Sequence, residues 1–174
     1  KFIKKNKVDY IVDFLGQGMV AESWINPDHW YKTNILSKVK MYDLLSKNKK
    51  FKKYIRISTP EAIGYVKGLI SETTKSNPST PYAISHLTQD LTLLAYFKFN
   101  KFPFVISRFS NFYGPHQQPH RIIPKTLYCI FNKKKLSLHG GGKAIRSFIY
   151  IDDFCDGIYK SMTKGKPGEV YNFT

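Results

Sequence analysis

A chain of 174 residues with 42% hydrophobic and 16% aromatic content is long enough to bury a core and too apolar to remain disordered. Its formal charge of +16 raises nucleic acid or an anionic membrane as a partner. However, 24 of the 28 basic residues are Lys scattered among Asn, Ile, Phe and Tyr, a pattern of solvated filler that argues against both. No apolar run approaches the ~20 residues of a membrane span, and Cys129 and Cys155 alone imply neither a disulfide framework nor a zinc site. A reducing, cytoplasmic setting is expected.

In chain order, Val8 to Leu15 reads as an apolar-rich strand running into Gly16-Gln17-Gly18, a turn of small residues that lets a ligand approach the backbone. Pro27 to Lys47 carries Trp30, Ile35, Val39, Tyr42, Leu44 and Leu45 at roughly helical spacing, with Asn26 as candidate cap. Tyr54 to Thr59 is a second strand stopped by Pro60, and its end presents Ser58, Thr59 and Glu61 together. A polar loop from Gly64 leads to a helix from Pro81 to about Asn100, and a strand over Phe102 to Phe109 runs into the loop Ser110 to Pro115.

The remainder is less regular. It reads as a helix over Ile122–Phe131, a strand over Lys135–Leu138, a turn at His139-Gly140-Gly141-Gly142, a strand over Arg146–Ile151, a helix over Asp152–Thr163 and a strand over Glu169–Phe173. Strands alternating with long helices predict an α/β fold, a doubly wound parallel sheet covered on both faces. In such sheets ligands bind beyond the carboxyl ends of the strands, where the polar clusters fall. The final strand has nothing after it to cover it, so a piece of a longer protein is expected.

Between Asp90 and Asp152 there is no acidic residue, while that interval holds ten Lys and Arg. An anionic partner is therefore expected, with Arg108, Arg121 and Arg146 suited to bidentate phosphate recognition. The triple glycine after His139 lacks the G-x-S-x-G nucleophile that a lipase oxyanion loop requires, and reads as a flexible turn. His116 and His120 flank a proline with no carboxylate or thiol nearby, so no metal site is read.

Tyr82 and His86 are one helical turn apart and share a face, where a phenol beside a titratable group can work as an acid–base unit. The pair resembles the Tyr-x-x-x-Lys of short-chain dehydrogenase/reductases, with His in place of Lys. Further motifs follow in order: Ser58-Thr59-Pro60-Glu61-Ala62-Ile63-Gly64, Thr80-Pro81-Tyr82, Arg108 to Pro115, Arg121-Ile122-Ile123-Pro124, Gly140 to Asp153, and Gly168 to Asn172. Together they resemble the extended short-chain dehydrogenase/reductases acting on nucleotide sugars, the NAD-dependent epimerase/dehydratase family, and within it the dTDP-glucose 4,6-dehydratases.

The resemblance implies a Rossmann-like sheet without its N-terminal part. Residues 1–112 would be the C-terminal half of the NAD-binding domain, and 113–174 part of a substrate domain with segments returning to the sheet. No G-x-G-x-x-G loop occurs in these residues. It further implies NAD as cofactor, held by Leu15, Gly16, Gln17, Ser58, Tyr82 and His86. Tyr82, His86, Thr59 and Glu61 would be catalytic, Asn111, Arg121 and Arg146 would hold a nucleotide-diphosphate sugar, and the full-length protein would be a homodimer.

Two departures bear on activity. Pro60 stands where dehydratases carry the aspartate that protonates the leaving hydroxyl. His86 is shorter than lysine and, at its ordinary pKa of about 6.5, mostly neutral at pH 7. An epimerase or decarboxylase, or a member that binds a nucleotide sugar without turnover, are the alternative expectations.

Overall fold

A computed structural model describes Ile3 and residues 6–174; the side chains of His139 and Gly140 lie outside this description. Four parallel strands form the main sheet in the order β1-β2-β3-β6: β1 Tyr10–Asp13, β2 Lys53–Ser58, β3 Phe104–Phe109 and β6 Glu169–Phe173. In β2 the side chains alternate between faces: Tyr54, Arg56 and Ser58 turn to one side, Ile55 and Ile57 to the other. All six residues of β3 are buried, as expected of a central parallel strand covered on both faces.

On one face lie α1 Pro27–Tyr31, a π-helical turn Lys32–Leu36, α2 Ser37–Ser46 and α3 Pro81–Asn100. Their apolar side chains meet the sheet in a cluster of Tyr42, Leu45, Leu93, Tyr54, Phe104 and Ile106. Thr80 starts α3 by accepting a hydrogen bond from the Ala83 amide at 3.1 Å, and Pro81 supplies a preset first turn. The helix ends at Lys101, whose φ of 57° is the left-handed geometry of a C-terminal cap.

The opposite face is covered by α5 Ile151–Thr163. Phe109 stacks on Phe173 with ring centroids 4.5 Å apart and meets Phe154 at 4.3 Å. Gly157 allows α5 to sit on these rings, because a β-carbon there would come within 2.9 Å of Phe109 Cε1. No helix among the described residues is long and apolar enough to cross a membrane.

Several sequence expectations are corrected. The first strand is shorter than Val8–Leu15, and the 27–47 helix contains the π turn. Ser110–Pro115 is not all loop: β4 Asn111–Tyr113 pairs in parallel with β5 Phe148–Tyr150 as a separate two-stranded sheet. Arg146 and Ser147 precede β5, and Ile151 already opens α5. Lys135–Leu138 is irregular, since alternation forms a strand only where a neighbour offers backbone partners. Between α4 Ile122–Phe131 and β5 the chain instead makes a 3-10 turn at His139–Gly142.

Beneath α2, Lys38 Nζ reaches both oxygens of Asp13 at 2.7 Å, and the Tyr54 hydroxyl donates to the same carboxylate. Burial lowers the Lys38 pKa, and Asp13 opposes that shift. Lys38→Met leaves a buried carboxylate without its cation, so we expect a loss of about 3 to 5 kcal/mol, measurable by urea unfolding.

Candidate active site

The site assembles at the carboxyl end of β2. Thr59 leaves the strand in extended conformation and caps the short 3-10 turn Pro60–Ala62, its hydroxyl accepting from the Glu61 amide at 3.3 Å. This places Thr59 and Glu61 on one turn, with Pro60 between them. The first turn of α3 brings in Tyr82, whose backbone amide donates to the buried Ser23 hydroxyl at 3.1 Å. The Thr59 hydroxyl acts on the Tyr82 phenol and favours its ionised form.

Burial raises the phenol pKa above its ordinary value; Thr59, Arg56 and Arg121 pull it down, and Glu61 adds to the rise. Thr59, Glu61 and Arg121 therefore all act on the Tyr82 phenol. His86 follows one turn along α3, with its ring centroid 4.4 Å from that of Tyr82. Its pKa is driven down to about 3, first by burial and then by the cations Arg56 and Lys38. His86 is thus neutral far below the value expected from sequence.

The turn after β1 closes another side. The Asn34 side chain accepts from the Gln17 amide at 2.7 Å and donates to the Gln17 carbonyl at 3.1 Å and to Ser85 Oγ at 3.0 Å. Trp30 Nε1 donates to the Gly18 carbonyl at 2.9 Å. A β-carbon on Gly16 would meet Asn34 Oδ1 at 3.4 Å and His86 Cε1 at 3.8 Å, so this backbone lies against the histidine. Leu15 is exposed on the rim. Asn34 sits on the π turn, an insertion often found at functional sites. A polar residue within an otherwise helical apolar pattern was its one sequence signal.

Other expected residues lie elsewhere. Ser58 is buried and gives its hydroxyl to Asp90 at 2.9 Å, leaving only its backbone for a ligand. Arg108 is a correction: it points into the fold, its Nε 3.3 Å from Asp90, and is unavailable for phosphate. Arg56, which the sequence reading left without a role, is buried beside Asp90 and His86. Asn111 and Arg146 are exposed, and Asn111 donates to the carbonyl of Ser147, the neighbour of Arg146, from its amide at 3.3 Å and from its side chain at 3.5 Å.

The model of the NAD dependent epimerase/dehydratase family matches residues 1–173. This chain belongs to that family. It is 33% identical to a dTDP-D-glucose 4,6-dehydratase of Dictyostelium discoideum, over 97% of this chain and 42% of that protein. The structure of dTDP-glucose 4,6-dehydratase from Bacillus anthracis in complex with NAD superposes with a TM-score of 0.86 at 33% identity, covering 98% of this chain and 52% of that one. The UDP-glucuronic acid 4-epimerase of Bacillus cereus, in complex with UDP-glucuronic acid and NAD, gives 0.84 at 28%, covering 94% and 53%. The chain spans about half the length of the curated relatives it matches.

Two outcomes follow from this geometry. Asn34→Ala leaves the Gln17 amide and carbonyl without their side-chain partner, while Ser85 keeps its bond to the Tyr82 carbonyl, a loss of about 1 to 3 kcal/mol, and hydrogen exchange at the Gln17 amide should quicken about tenfold or more. His86 binds a proton at about pH 3 when folded and near 6.5 when unfolded. Between these values the unfolded chain binds more protons, so the contribution of His86 is complete above about pH 6.5 and is lost as pH falls towards 3. Urea midpoints should decline across that window, less steeply in His86→Gln.

Proposed function

We propose that this chain carries the sugar-oxidising site of an NAD-dependent nucleotide-sugar dehydratase. The observation that supports it is the meeting of Tyr82, Thr59 and Glu61 at the end of β2, beside the turn that His86 and Asn34 face. Tyr82 takes the proton from the sugar hydroxyl at carbon 4, and Thr59 holds that hydroxyl by a hydrogen bond. Glu61 removes the proton next to the new ketone, a step within the reach of a carboxylate because the carbonyl acidifies the adjacent carbon.

The residues fit NAD. The buried Nε2 of His86 has no protein partner among the described residues, and beside it Gly16 offers backbone without a side chain. Leu15, Gly16, Gln17, the Ser58 backbone, Tyr82 and His86 would hold the cofactor. When bound, NAD supplies the hydride acceptor. Arg121, Asn111 and Arg146 would bind the nucleotide diphosphate, with Arg121 linking it to the Tyr82 neighbourhood.

A second reading is favoured by Pro60, which has no group to protonate a leaving hydroxyl: 4-epimerisation, which needs no such acid. Both readings are tested by incubating the full-length protein with NAD and a panel of nucleotide hexoses. Dehydration shows in NMR of the product as loss of the carbon 6 hydroxyl, and epimerisation as inversion at carbon 4. Tyr82→Phe should lower turnover about 10²- to 10⁴-fold, and Pro60→Asp should raise dehydration. Absence of any change in every hexose would end the proposal.

A further inference from the structure

Arg56 lies buried beneath the helix that carries Tyr82. Its Nη2 is 2.7 Å from His86 Nδ1. A guanidinium has only donors and keeps its charge, so Nδ1 must accept and the ring proton must sit on Nε2. That Nε2 is buried without a partner among the described residues, on the part of the ring nearest Gly16. The Tyr82 ring packs against the same imidazole.

The other charges near this pair are accounted for. Lys38 is closed on Asp13, and Glu61 and Arg121 act on Tyr82 in opposite directions. Asp90, one turn further along α3, is shared by Arg56 at 3.9 Å, Arg108 at 3.3 Å and the Ser58 hydroxyl. Arg108 also meets the charge of Glu72, whereas Arg56 stands 3.9 Å from Asp90 and keeps its positive charge beneath the Tyr82–His86 pair. Of the charges that favour the Tyr82 phenolate, Arg56 is the strongest, ahead of Arg121.

We propose that Arg56 is the positioning residue of this pair: it locks His86 as the tautomer protonated on Nε2, while the positive charge that steadies the Tyr82 phenolate stays on Arg56. The task a single cationic side chain could perform is thereby divided. His86 presents one fixed N–H donor to a ligand at the Gly16 turn, and the charge stands behind it on the strand. The tautomer is independent of the nucleotide-sugar reading; only the effect on turnover rests on it.

The decisive measurement is ¹⁵N NMR of the imidazoles, with His86 assigned by His86→Gln. In the unaltered protein, Nδ1 should be unprotonated and Nε2 protonated from about pH 5 to 8, a range in which an ordinary histidine titrates. Arg56→Lys and Arg56→Gln, which each keep a donor for Nδ1, should retain that pattern. Arg56→Met should give mixed tautomers and a titration point higher than in the unaltered protein, though still held below the ordinary histidine value by burial. A proton on Nδ1, an imidazolium above about pH 6, or an unchanged pattern in a folded Arg56→Met would overturn the proposal.

The charge is read separately, in the pH profile of kcat of the full-length protein on a nucleotide hexose. Its rising limb should move up by about 1 to 3 pH units in Arg56→Gln and by much less in Arg56→Lys. Equal loss at every pH in both variants would show a merely structural role and overturn the charge assignment. If no hexose is turned over, the functional reading fails while the NMR still decides the tautomer.

Discussion

The contact on which the rest of this structure depends is the buried polar tie between β2 and α3. Arg56 on the strand reaches His86 and Asp90, one turn apart on the helix, and Asp90 also takes Ser58 and Arg108. Charged groups removed from water are tolerated only when paired, and removing one partner is strongly unfavourable. A sliding of α3 along the sheet by one turn would break all of these contacts together. The tie therefore sets the register that brings Tyr82 over Thr59, a register that apolar packing of Leu93 on Phe104 and Ile106 would specify less sharply.

The same economy appears on the other side of the site. The turn after β1 has no regular backbone pairing of its own, and its amide and carbonyl groups are instead satisfied by Asn34 and Trp30. The π turn presents Asn34 to both this turn and Ser85 on α3. Helix, turn and strand are thus joined by side chains of three separate elements. In the wall so formed, the buried Nε2 of His86 has no partner among the described residues and faces the Gly16 turn.

Much of the sheet could be read directly from residues. β2 and β3 are short, β-branched and aromatic, and bounded by Pro60, Pro103 and Ser110, so their existence follows from local pattern. The Thr80-Pro81 start of α3 is equally local, a cap followed by a preset φ. Tyr82, Thr59 and Glu61 stood out because their motifs occur in a known order. Lys135–Leu138 misled because alternation states only which side chains share a face and not whether another strand is alongside. β4 was missed for the converse reason: three residues after a strand carry too little pattern to show a ladder with Phe148–Tyr150.

Sequence alone determined the parallel α/β class, the membership of Tyr82, Thr59 and Glu61 in one family of motifs, and the departures at Pro60 and His86, because these depend on residue identity and short-range spacing. Tertiary structure alone decided which charges are buried and what they face. Arg108, counted with the phosphate-binding arginines, turns inward to Asp90, while Arg56 stands behind His86. The physical reason is that a charge's partner is chosen by the packing of distant segments: Arg56 and His86 are thirty positions apart, and no periodicity within either segment encodes their meeting.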